Sequence, residues 1–290
     1  MEKKLLIDKL MENLKKEIKK IFPRYPYLKR FFLYGNWRIL FSISRKNIRN
    51  FTKANTKLFS KSFLGNYVIP SKVLLKIFEK LQSSKQIVVF SLGLGKQISF
   101  DKDIRDIFAS KIFLAGFEPS KDCYSYCDEA KVFDFLSNAA IVDEKTYSLY
   151  SKKELSLQGA HVVESSLFKK QFKSKRDEKT IKTLTPNLAL KETGLNRVDF
   201  LKIDIENNTI PVIKDFIKLD NPPYIIVGEI EPYSFNKRKL SYSDYIKSLE
   251  LFFNELKGKN YNFISTIDER KDAKYLAIEF IAVNERLLEA

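Results

Sequence analysis

Cysteine is nearly missing from this chain of 290 residues: there are two, Cys123 and Cys127 in "CYSYC". Two thiols build neither a disulfide framework nor a four-cysteine zinc site, so both are expected as ordinary reduced thiols. Long apolar runs are missing as well. No stretch approaches the roughly 20 residues needed to cross a bilayer. The opening "MEKKLLIDKLMENLKKEIKK" carries charge where a signal peptide needs its apolar stretch, which leads us to expect a cytoplasmic protein. Internal repeats and low-complexity tracts are absent. What the chain does have is enough apolar residue, 44% hydrophobic and 13% aromatic, to bury one large core and a small appendage.

The formal net charge of +16 is unevenly placed. Residues 1 to 62 hold 17 Lys and Arg against 4 Asp and Glu, so this segment carries 13 of the 16 surplus charges. Within it, Ile7, Met11, Leu14, Ile18 and Ile21 recur at spacings of four and three and line one helix face, with Lys15, Lys16, Lys19 and Lys20 elsewhere on the cylinder. Pro23 and Pro26 end that helix. One reading is a helical subdomain packed on the core with solvated lysines. Another is peripheral contact with an anionic membrane through residues 1 to 62, at the inner face. Nucleic acid is a third, and it draws no support from the motifs, because no aromatic RNA-binding signature accompanies the charge.

From about residue 85 the pattern alternates between strands and helices. "QIVVFSLG", "KIFLAGFEP", "VFDFLSNAAIV", "VDFLKIDI" and "PYIIVGEI" read as strands, while "DKDIRDIFAS", "SKDCYSYCDEAK", "TPNLALKETG" and "IPVIKDFIKL" read as helices. "YNFISTID" and "YLAIEFIAVN" close the chain as two strands with no helix between them. This predicts an α/β fold, a mostly parallel sheet covered on both faces, with an antiparallel C-terminal hairpin. Residues 144 to 182 fit the alternation least and are expected to form an excursion above the sheet edge. The expected domains are a basic helical extension over 1–65 and an α/β domain over 66–290.

Ligands of such sheets bind beyond the carboxyl ends of the strands, near the point where strand order reverses. The residues there are Gly93 and Gly95 after the first strand, Glu118 after the second, Asp204 and Glu206 after the fourth, and Glu229 and Glu231 after the fifth. A dinucleotide is disfavoured: the third glycine of the G-x-G-x-x-G fingerprint would fall at Ile98, and Asp101 and Asp103 at the start of the next helix would repel a pyrophosphate. S-adenosylmethionine has no phosphate, carries a positive sulfonium and still needs an acidic partner for its ribose. No dedicated metal site is expected. Alternation along a strand would place Glu229 and Glu231 on one solvated face.

"SLGLGKQISFD", "GFEPS", "NAAIVDEKTYSLY" and above all "TLTPNLALKETGLNRVDFLKIDIE" resemble the successive motifs of FkbM-type methyltransferases, in that family's order, over roughly residues 66 to 285. The resemblance implies a Rossmann-like seven-stranded fold and S-adenosylmethionine-dependent methylation of hydroxyl oxygens on sugars, glycoconjugates or related natural products. By it, Gly93 and Gly95 line the methionine end of the cofactor, with Ser91 also among the cofactor-binding residues. Glu118 binds the ribose through both carboxylate oxygens, Asp143 lies near the adenine, and Asp204 and Glu206 face the methyl group. Two departures stand out. The family usually continues with Gly-x-Glu, where this chain has Asn207, Asn208 and Thr209. It also has Gln97 at a position that is acidic in one branch. The first departure opens an alternative, a catalytically degenerate scaffold that binds cofactor.

Methyl transfer is an in-line displacement, so positioning supplies most of the rate and a base assists removal of the hydroxyl proton. Asp204 and Glu206 are candidates for that base, as is the only histidine, His161 in "GAHVVESS". Each has a plainer reading: a carboxylate after a strand caps helices or accepts structural hydrogen bonds, and a lone histidine packs or sits on a surface.

Overall fold

The computed structural model describes residues 61–64, 67–70, 79, 86–150, 156–157, 179–205, 208–230, 242–265 and 278–288. These lie within one compact unit, Phe51–Ala290. The predicted helix over Ile7 to Ile21, and with it the basic segment 1–60, falls outside the described residues, as do His161 and Glu206.

The strands are β1 (Lys61–Leu64), β2 (Tyr67–Pro70), β3 (Ile87–Leu92), β4 (Ile112–Phe117), β5 (Phe135–Ser137), β6 (Ala139–Ile141), β7 (Ser156–Leu157), β8 (Lys179–Thr180), β9 (Lys182–Leu184), β10 (Phe200–Ile203), β11 (Ile225–Ile230), β12 (Tyr261–Ser265) and β13 (Ile278–Asn284). The helices are α1 (Ser99–Phe108), α2 (Lys121–Glu129), α3 (Glu144–Tyr150), α4 (Pro186–Thr193), α5 (Thr209–Phe216), α6 (Tyr242–Gly258) and α7 (Glu285–Leu288). Seven strands form one sheet in the order β12-β13-β11-β10-β3-β4-β5. Pairing is parallel from β11 through β10, β3 and β4 to β5, and antiparallel where β13 meets β11 and β12. The expected α/β sheet with its terminal hairpin is therefore present, with β13 inserted between β11 and the edge strand β12.

Every residue of β3 and β10 is buried, as a parallel strand covered on both faces requires. Alternation divides their side chains. Val89, Phe200, Ile225 and Val283 face α1, where Phe100 meets Phe200 edge-on at 5.6 Å and Ile104 and Phe108 complete the layer. Phe90 points the other way, against Phe216 of α5 at 6.4 Å. Phe252 of α6 packs edge-on against Phe280 on β13. Full burial of one such side chain contributes about 1.5–3 kcal/mol, so these two layers dominate the stability of the domain.

The structure departs from the sequence reading at two elements. "VFDFLSNAAIV" is not one strand. β5 ends at Ser137, Asn138 turns out to donate through Nδ2 to the carbonyls of Glu118 and Pro119 at 2.8 and 3.1 Å, and β6 leaves to pair with β9 in a separate two-stranded sheet. The sequence reading also passed over α6. Its Leu249, Phe252 and Leu256, spaced three and four apart, are all but fully buried, and that spacing is the signal that could have found it.

Candidate active site

Strand order reverses at β3, which lies between β4 and β10, so the carboxyl ends of these three strands form the crevice where this architecture takes ligands. Gly93 and Gly95 occupy it with φ of 71° and 55°, the left-handed region that side chains disfavour. Their surroundings differ. A Cβ on Gly93 would stand 2.0 Å from the Asp204 carbonyl oxygen, whereas one on Gly95 would meet nothing within 4 Å. Gly93 is thus clamped between strand ends, its N–H donating to the Phe117 carbonyl at 3.0 Å, while Gly95 opens onto free space.

Glu118 follows β4 and is 5% exposed. Its Oε2 accepts the N–H groups of Leu94 and Gly95 at 3.0 and 2.8 Å, and its Oε1 accepts that of Ser120 at 2.7 Å. Burial pushes the carboxyl above its ordinary range, opposed by the N–H donors of Gly95, Ser120 and Leu94 and then by the Lys202 ammonium. The carboxylate braces the glycine turn. Of about four lone-pair sites on two oxygens, three are taken, and the open one is on Oε1.

Ser91 and Asp204 also lie in the crevice. Ser91 is fully buried on β3 with its hydroxyl unpartnered. Asp204 follows β10, is exposed, and has its backbone N–H fixed to the Leu92 carbonyl at 3.0 Å. The Tyr67 hydroxyl donates to its Oδ2 at 3.4 Å. Burial, then Asp204, Glu229, Glu279 and Asp101, push the Tyr67 phenol well above its usual range, so it remains protonated and a donor. Asp143 follows β6 rather than a strand of the main sheet, and its carboxylate accepts the Thr146 backbone N–H at 3.0 Å and the Thr146 hydroxyl, capping α3. At the position of the family's second carboxylate, the Thr209 hydroxyl donates to the Ile205 carbonyl at 2.7 Å and closes the turn into α5.

The sequence reading misjudged one residue and missed two. Asp101 does not oppose a ligand from the outer end of α1; it is fully buried against the sheet. Lys202, 3% exposed, donates to the Gly93 carbonyl at 2.6 Å. A lysine inside the apolar "VDFLKIDI" was the available signal. Tyr67 had none, because only the fold brings it to Asp204.

A family model described as "Methyltransferase FkbM domain" matches residues 71–263, about two thirds of the chain. The chain belongs to the FkbM methyltransferase family. It is an S-adenosylmethionine-dependent methyltransferase, and the crevice suits that cofactor chemically. The cofactor's ammonium and two ribose hydroxyls are donors, and Ser91 and the free site on Glu118 are buried acceptors. Among curated proteins, no relative matches this methyltransferase. Solved structures similar to it include a precorrin-6y C5,15-methyltransferase from Geobacter metallireducens GS-15, at 9% identity over 79% of this chain and 95% of that one, with a TM-score of 0.33. An O-methyltransferase from Bacillus cereus in complex with SAH is similar at 13% identity over 94% and 97%, TM-score 0.36. The plantazolicin methyltransferase BpumL in complex with SAH is similar at 8% identity over 74% and 82%, TM-score 0.37.

Proposed function

We propose that this methyltransferase methylates a hydroxyl oxygen on a sugar, glycoconjugate or related natural product. The observation that carries the reading is Asp204: an exposed carboxylate at the carboxyl end of β10, whose own carbonyl abuts Gly93. A hydroxyl is a poor nucleophile until its proton is removed, and a carboxylate beside the cofactor turn is placed to accept that proton. When bound, S-adenosylmethionine supplies an activated methyl group on its sulfonium. The chain's own residues hold and orient. Gly95 lets the cofactor approach the backbone, Ser91 accepts from its methionine end, and Glu118 takes one ribose hydroxyl on Oε1 while its other bonds brace the turn. Glu206 stands two residues beyond Asp204 and is assigned with it to the acceptor side; His161 is the further candidate base, and Asp143 the residue near the adenine. Residues 1–65 act as an extension ahead of the catalytic domain 66–290, and residues 1–62 within it contact anionic membrane at the inner face.

The test is methyl transfer from labelled S-adenosylmethionine to a panel of polysaccharide and glycolipid hydroxyls, read by mass spectrometry. Asp204→Ala is expected to lower turnover by tenfold or more while leaving S-adenosylhomocysteine affinity and melting temperature near wild type. Equal loss of stability and turnover would make Asp204 structural. Cofactor binding without turnover on any acceptor would favour the scaffold alternative, to which Thr209 in place of a carboxylate lends a specific observation.

A further inference from the structure

β10 is buried along its length and apolar except at Lys202. An ammonium in that position must find acceptors or pay heavily in lost solvation. Strand register sets Lys202 opposite Ser91 on β3, on the sheet face that α1 covers. From there its Nζ reaches the carbonyl oxygens of Gly93 at 2.6 Å and Leu92 at 3.4 Å. Asp101 of α1 supplies the opposite charge from above. Burial pushes the Asp101 carboxyl up, and the Lys202 ammonium and then the nearby Ser91 hydroxyl hold it back. Neither the Ser91 hydroxyl nor the Asp101 carboxylate completes a hydrogen bond of normal geometry with a protein partner. A polar layer of three side chains therefore lies directly beneath the glycine turn, inside an otherwise apolar interface.

Gly93 is consequently held from three sides. Its N–H is tied to Phe117 and its Cα seats against the Asp204 carbonyl, both consequences of where strands end. The third hold, on its carbonyl, depends on one side chain.

We propose that Lys202 is a positioning residue for the cofactor: its ammonium fixes the Leu92 and Gly93 carbonyls and sets the direction of the turn through Leu94 and Gly95. Lys202 does not itself touch the cofactor. The proposal rests on the reading that the turn at Gly93 to Gly95 holds S-adenosylmethionine. A charged side chain buried only to hold the core together would affect stability and leave the turn indifferent, and the two roles separate in a double variant. Lys202→Met removes the ammonium and keeps most of the volume; adding Asp101→Asn removes the buried carboxyl that would otherwise lose the neighbouring positive charge.

S-adenosylhomocysteine affinity is measured by isothermal calorimetry on the full chain, with melting temperature alongside. Lys202→Met is expected to weaken binding tenfold or more and to lower the melting temperature. Lys202→Met with Asp101→Asn is expected to regain melting temperature while binding stays at least tenfold weak. Lys202→Gln, which keeps a neutral donor, is expected to fall between. The proposal is overturned if the folded double variant binds within twofold of wild type. It is equally overturned if every Lys202 variant unfolds even with Asp101→Asn, since Lys202 is then a core strut. Gly95→Ala tests the underlying reading separately: unchanged affinity there would remove the turn from the cofactor site, whatever Lys202 does.

Discussion

Gly93 and Gly95 differ in their surroundings, and that difference decides what alanine does at each. On Gly93 the new methyl would collide with the Asp204 backbone just beyond β10 rather than with a side chain that can move, so Gly93→Ala must displace the chain where that strand ends. We expect it to lose several kcal/mol of stability or to fail to fold, as a cramped substitution in packed structure does. Gly95→Ala meets open space and suffers only the left-handed backbone cost, about 1–2 kcal/mol. It should fold, yet bind S-adenosylhomocysteine at least tenfold more weakly, because its methyl projects into the space the cofactor uses. Thermal melts and calorimetry on the pair read both effects, and normal affinity in a folded Gly95→Ala protein contradicts the site.

Asp101 gives a pH signature at the same scale. A carboxyl whose folded value is raised binds its proton more tightly folded than unfolded. Its contribution is fully present below the unfolded value of about 4 and is lost as pH rises through the raised folded value. Asp101→Asn cannot titrate. Its unfolding free energy relative to wild type should therefore climb across that window and then level off, whatever constant offset the amide introduces. Urea denaturation of both proteins at a series of pH values measures the difference. A falling difference would mean that Lys202 and Ser91 outweigh burial.

At the scale of elements, α4 shows local sequence acting almost alone. Thr185 at its N-cap accepts the Leu188 N–H at 3.4 Å, Pro186 opens the helix, and Gly194 ends it at φ 72° with its N–H returned to Lys191. Each of these residues is suited to its place by its own chemistry. A Cβ on Gly194 meets nothing, so Gly194→Ala should destabilise by about 1–2 kcal/mol through backbone strain alone, without affecting cofactor affinity. Parallel denaturation and binding measurements check both halves. β5 and β6 behave in the opposite way. "VFDFLSNAAIV" has strand propensity throughout, and its division at Asn138 depends on the carbonyls of Glu118 and Pro119, which arrive from another element. The propensity of the run is visible in sequence, whereas its partner is not.

For the whole molecule, the placement of charge bears on where the enzyme works. Among the described residues no helix is long and apolar enough to cross a membrane. The proposed attachment through residues 1 to 62 depends on charge: each lysine near an anionic surface contributes about 1 kcal/mol, screened over roughly 8 Å at physiological salt. Flotation with anionic liposomes should retain the full chain at low salt and release it at high salt, and deletion of residues 1 to 22 should abolish retention. Retention unchanged by the deletion would exclude that helix as the anchor. Unfolding of the deleted protein would instead identify Ile7, Met11, Leu14, Ile18 and Ile21 as core contacts.

Sequence alone determined the alternation of strands and helices, the terminal hairpin, the glycine pair and the family, because each is written in local periodicity, in turn chemistry or in a contiguous motif such as "LKIDIE". It also placed Glu118 and Asp204 at strand ends. Tertiary structure decided what those residues touch. Glu118, expected to hold the ribose through both oxygens, spends two acceptor sites on Leu94 and Gly95 of the turn and a third on Ser120, Tyr67 meets Asp204 across 137 positions of chain, and Asp101 turns inward and is fully buried at the helix-sheet interface. The physical reason is that periodicity reports which face of an element is buried. A buried polar group's partner comes from another element, and only the packing of the sheet against its helices brings the two together.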